Sequence, residues 1–257
     1  MEIMESVIAH SFVSEVLRGR NTVRVVDVCS GIGIAGYALS KILVEKGYGV
    51  ELALIDVRRD ALLRAREWIK SELGIEPEIY VIDARSAHSL GKEYDIALMW
   101  GSSSVHFDPW NMNRLLASLT HVLSNNGLLV MQEADRFYSI IMRGYKEVIY
   151  NEDEHEGKAV LDVFVGYDPL KGTCRRRVID LRDTNRRVSI DLYYWSIASL
   201  AALLWIFFED IDVIEILQRG LRDKYVILAY RPRKVLSPTQ FEREPYLFKV
   251  RKSKNTE

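Results

Sequence analysis

The chain is poor in the residues that mark several large protein classes. It has only two cysteines, Cys29 and Cys174, in 257 residues. That excludes a disulfide framework and a four-cysteine zinc site. No other His/Cys/carboxylate cluster has metal-ligand spacing, so no metal is expected. Neither charge is in excess: 35 basic and 36 acidic residues give a formal net charge of −1. A surface devoted wholly to nucleic acid or anionic membrane is therefore not expected, although a local basic patch remains open. There is no internal repeat or low-complexity tract. Met1 to Ser6 is acidic and has no apolar run behind it, so no signal peptide is expected. The one long uncharged run, Tyr193 to Phe208, holds 16 residues, short of the ~20 that a spanning helix needs. It reads as a buried helix without a membrane role. With 48% hydrophobic and 28% charged residues, the composition fits a compact cytoplasmic enzyme or binding domain.

What is present is alternation. Ser6–Leu17 has helical spacing and Thr22–Val28 is a short β-branched strand. A glycine-rich turn over 31–36 leads into a helix, Tyr37–Glu45. Val50–Ile55 is a second strand, Asp60–Leu73 a helix stopped by Gly74, and Glu78–Ile82 a third strand. Tyr94–Trp100 is a fourth strand and Met112–Leu123 a helix. The turn residues Asn125-Asn126-Gly127 precede a fifth strand, Leu128–Glu133. Strand, turn and helix in this order demand right-handed βαβ units and a parallel sheet covered on both faces. After about residue 150 the pattern changes. Gly157–Val165, Arg176–Leu181 and Arg187–Leu192 read as antiparallel strands, and Asp212–Leu217 and Tyr225–Tyr230 as a closing pair across an Arg-Gly turn.

The most informative stretch is Val25-Val26-Asp27-Val28-Cys29-Ser30-Gly31-Ile32-Gly33-Ile34-Ala35-Gly36. Gly31, Gly33 and Gly36 match a dinucleotide fingerprint, with Asp56 at the expected distance. Asp27, however, ends the strand ahead of the glycines, where a carboxylate would repel a pyrophosphate. It suits a cationic ligand better. On Asp27, Gly31 and Gly33, on Asp56 ending strand 2 and on Asp83-Ala84 after strand 3, the chain resembles the class I S-adenosylmethionine-dependent methyltransferases over residues 22–135. The resemblance implies a Rossmann-like three-layer α/β sandwich. Its sheet would be mostly parallel and seven-stranded with an antiparallel final strand, plus a small antiparallel β cap. It also implies S-adenosylmethionine as cofactor, with the glycine motif at the methionine end, Asp56 on the ribose hydroxyls and Asp83 on the adenine amino group. Trp100, at the end of strand 4, joins the expected cofactor set. Cys29 replaces the first motif glycine, which is tolerable if φ there is negative.

The acceptor side is quieter. Trp100 to Trp110 reads as a pocket wall, and its His106 is the candidate general base. Asp108-Pro109-Trp110 lacks the second proline of the amino-methylating nucleic-acid enzymes. Cys174 follows Thr173 rather than the proline that a DNA cytosine methyltransferase needs. Tyr167, Tyr193, Tyr194 and Trp195 are able either to close a pocket or to pack the cap. Six arginines between Arg175 and Arg187 are interleaved with aspartates, as on a solvated face or a nucleic-acid contact. The expectation is one methyltransferase domain (EC 2.1.1.-) acting on a small molecule. Its parts are an N-terminal helix (1–20), a cofactor core (21–150), a β cap (about 155–195), a closing helix and strands (196–232) and a polar tail (233–257). The alternatives are RNA or protein methylation through the arginine-rich hairpin, a non-catalytic cofactor-binding module, and an NAD-dependent oxidoreductase. Sequence assigns neither the acceptor atom nor the oligomeric state.

Overall fold

The computed structural model describes residues 2–153, 158–216 and 224–248. Short β-branched runs and amphipathic helices alternate as the sequence suggests. They form β1 (Thr22–Val28), β2 (Gly49–Asp56), β3 (Glu78–Val81), β4 (Tyr94–Met99) and β5 (Leu123–Ala134). The helices between them are α3 (Ile34–Glu45), α4 (Arg59–Leu73) and α5 (Pro109–Val122). Two short helices, α1 (Glu2–Ile8) and α2 (Ser11–Leu17), precede the first strand. Ser6–Leu17 is therefore not continuous: His10 breaks it and caps α2 by accepting from the Phe12 N–H.

The chain continues through α6 (Arg136–Arg143), β6 (Val148–Asp153), β7 (Lys158–Asp168), β8 (Thr173–Asp180), β9 (Arg187–Tyr193), α7 (Ile197–Phe207), β10 (Phe208–Glu215) and β11 (Lys224–Pro232). The main sheet has seven strands in the order β10-β11-β5-β4-β1-β2-β3. All neighbours are parallel except β11, which runs antiparallel to both β5 and β10. This is the expected Rossmann-like sandwich. Strands β6 to β9 form a separate antiparallel sheet, the cap. Two apolar clusters, one on each face of the main sheet, form the core. The Arg-Gly turn and Gly157 lie outside the described residues.

Two further expectations need correction. Asn125-Asn126-Gly127 is not a turn before the strand but an irregularity within β5: Leu123 pairs with Tyr94 and Leu128 with Ile96, so the extra residues bulge out. A Cβ on Gly127 would lie 2.8 Å from the Ser124 carbonyl oxygen, which explains the glycine. The apolar run is not a buried helix. In α7 only Leu200, Leu204 and Phe207 are buried, while Trp205 is 61% and Ile206 53% exposed. Among the described residues no helix is long and apolar enough to cross a membrane.

Candidate functional site

The carboxyl ends of β1, β2 and β3 converge on the glycine turn. Gly31 and Gly33 both have left-handed backbone, φ 56° and 75°, so the chain reverses before α3 starts at Ile34. Cys29 has φ 57°, contrary to the expected negative value. It adopts the left-handed conformation despite its side chain, at a strain of about 1–2 kcal/mol. Burial, followed by the fields of Asp56, Asp27 and Asp83, pushes its thiol up to about 12. It is therefore no nucleophile.

Asp27 is buried beneath the turn. Its Oδ2 accepts from the Gly36 N–H at 2.8 Å, and its Oδ1 has no partner. Desolvation raises its pKa to about 7, against the lowering effect of the Gly36 bond. Asp56 closes β2. Its Oδ2 accepts from the Gly31 N–H at 2.8 Å and from Arg58 Nη2 at 3.1 Å, and its Oδ1 accepts from the backbone N–H and Nε of Arg58. Burial pushes Asp56 upward, but these bonds outweigh it and its pKa falls. Asp83 repeats the arrangement beyond β3. Arg85 donates to it from its backbone N–H, Nε and Nη2, and this guanidinium holds its pKa down.

Asp56, Asp83, Ala84 and His106 line a single cavity of about 520 Å³, walled by Cys29, Ile55, Ile82 and Phe107. Gly31 does not line it, although its N–H is bonded to Asp56, which does. Asp27, Gly33 and Trp100 do not line it; Trp100 packs on the apolar cluster beneath. Burial, then the charges of Arg136 and Arg58, lowers the pKa of His106 and keeps the imidazole neutral near pH 7. Apolar walls suit a purine, and carboxylates at the ends of neighbouring strands suit its amino group and ribose hydroxyls. The donor set therefore fits S-adenosylmethionine, provided Arg58 and Arg85 turn aside.

Several residues here escaped sequence reasoning. The arginines were signalled by a repeated spacing, Asp56-Val57-Arg58 and Asp83-Ala84-Arg85. Glu133 near the end of β5 is another acidic strand end; it is buried, its pKa is raised by burial, and it accepts from the Ser104 hydroxyl. Of the cap aromatics, Trp195 packs inward and donates to the Phe107 carbonyl at 3.0 Å, with the Tyr193 ring tilted against it at 4.5 Å between centroids. Tyr167 is exposed. In the arginine cluster, Arg175 pairs with Asp191, Arg176 with Asp162 and Arg186 with Asp183.

No family model matches the chain, and no curated protein does. Solved structures do. An S-adenosylmethionine-dependent methyltransferase from Clostridium acetobutylicum aligns with a TM-score of 0.61 at 12% identity, over 85% of this chain and 89% of that one. The CcbJ methyltransferase from Streptomyces caelestis aligns with a TM-score of 0.61 at 15% identity, over 89% and 88%. The N-methyltransferase NodS from Bradyrhizobium japonicum aligns with a TM-score of 0.53 at 11% identity, over 90% and 98%. Such identities establish a shared fold.

Proposed function

From the Rossmann-like fold of the class I methyltransferases, which this chain has, we propose that it is an S-adenosylmethionine-dependent methyltransferase acting on a small molecule. The observation that carries the reading is the single cavity in which Asp56, Asp83 and the neutral His106 meet. When bound, the cofactor supplies a methyl group on a sulfonium leaving group. Asp56 would accept from the ribose hydroxyls and Asp83 from the adenine amino group. Ile55, Ile82 and Phe107 would keep water from the adenine. His106 Nε2 or Nδ1 is available to take a proton from an acceptor hydroxyl or amine. The rest of the task is alignment of the acceptor for in-line transfer. Ion pairing of Arg175, Arg176 and Arg186 within the cap favours a small acceptor over a polyanionic one.

Calorimetric titration with S-adenosylmethionine and with NAD tests the reading. Binding of the first alone is expected; binding of NAD alone would sink it. Asp56→Ala is expected to weaken S-adenosylmethionine binding by roughly 1–3 kcal/mol. Arg58→Ala, which frees that carboxylate, is expected to strengthen it several-fold.

A further inference from the structure

Helix α6 is built inside out. Its solvent face carries Phe137, Tyr138, Ile141 and Met142, exposed by 54%, 47%, 65% and 62%. The face a half-turn away presents Arg136, Ser139, Ile140 and Arg143 to a cavity of about 280 Å³ between the helix and the cap. A surface helix ordinarily arranges these residues the other way round.

The same cavity receives Lys146 from the segment after α6, Arg176 from β8, and Tyr145 and Tyr194. Among the described residues no aspartate or glutamate lines it. Three carboxylates of neighbouring elements have other partners. Asp162 holds Arg176 at 2.7 Å. Asp135 accepts from the Tyr138 and Ile197 N–H groups. Glu133 is turned to Ser104. Meanwhile Arg136 Nε is buried with no hydrogen-bond partner. A half-buried guanidinium with an unmet N–H is costly unless an acceptor or anion joins it, and Lys146 adds positive charge at the exposed rim.

We infer that this cavity binds the anionic group, a phosphate or carboxylate, of a small methyl acceptor. The inference rests on the methyltransferase reading. It gives the acceptor a direction: the anion is anchored by Arg136 and Lys146, flanked by the Tyr145 and Tyr194 rings. The remainder of the molecule points toward His106, within electrostatic reach of Arg136. Guanidinium and ammonium groups converging on one oxyanion make the charge-assisted bonds that set such orientation.

The test is calorimetry on the full chain with phenyl phosphate, benzoate, uncharged benzyl alcohol and S-adenosylmethionine. At least one of the two anions is expected to bind, and benzyl alcohol is not. Arg136→Gln should weaken anion binding about tenfold or more while S-adenosylmethionine binding changes less than about twofold. Lys146→Gln, at an exposed position, gives a second variant if the first fails to fold. Anion binding unchanged in a folded variant, or absent from wild-type chain that still binds S-adenosylmethionine, would overturn the inference. Loss of S-adenosylmethionine binding alone would instead overturn the methyltransferase reading and leave the anion site standing. Binding only to phosphatidylserine-containing vesicles, and to neither soluble anion, would overturn the small-molecule assignment.

Discussion

At the scale of single residues, the site turns on carboxyl groups placed in unequal environments. Asp56 and Asp83 are held ionised by Arg58 and Arg85, whereas burial lifts Asp27 to about 7 from an ordinary 3.8. The folded chain thus keeps a proton on Asp27 that the unfolded chain releases. The stability this lends is fully present below about pH 4 and is lost as the pH rises through about 7. Asp27→Asn has no such loss. The variant should gain on wild type from pH 4 to 7, by at most about 1.4 kcal/mol per pH unit. Urea unfolding at pH 4, 5.5, 7 and 8 reads the difference directly. Parallel curves would mean that Asp27 is solvated. Sequence alone exposed the acidic strand ends Asp27, Asp56 and Asp83, because each closes a short, mainly apolar run. It did not expose their states of charge. Those depend on Arg58 and Arg85 folding back and on a lid of glycine turn over Asp27, which are tertiary facts.

Among the elements, strands were easier to read than helices of mixed exposure. Thr22–Val28 has the limits the pattern predicts, since a parallel strand covered on both faces is mostly apolar. Helix α6 was missed altogether. Its period is strong, but it separates apolar from cationic residues without saying which face meets solvent, and here the usual polarity is reversed. Helix α7 lies where the uncharged run suggests, but such a run also suggests burial on every side, and the helix packs along one stripe only. The two faces of α7 should therefore differ sharply. Leu204→Ala opens a cavity at a fully buried position and should cost about 3 kcal/mol. Trp205→Ser removes a larger side chain from an exposed position and should stay within about 0.5 kcal/mol. Comparable losses for the two in urea unfolding would show that something covers the outer face.

Across the whole molecule, the two ends of the parallel strands carry different tasks. Ligands of open α/β sheets gather beyond the carboxyl ends, where Asp56, Asp83 and His106 share their cavity. The opposite end is closed by a buried charge. Asp95, near the start of β4, is fully buried and meets Arg20 Nη1 at 2.9 Å. It also accepts from the Arg24 N–H at 2.9 Å. This carboxylate ties β4 to β1 and to the segment after α2, and no residue of the candidate site takes part. Asp95→Ala should leave Arg20 and the β1 N–H without their acceptor and cost about 2–4 kcal/mol. Because β1 and β4 continue as rigid, fully packed strands to the far end, the geometry of Asp56 and Asp83 should survive in the molecules that remain folded. Lower unfolding stability with an S-adenosylmethionine affinity within about twofold of wild type is the expected pair of results, read by urea unfolding and by calorimetry well below the midpoint. A parallel tenfold loss of affinity would show instead that strain at the base of β1 and β4 reaches the glycine turn, and that the sheet transmits what this division of tasks requires it to absorb.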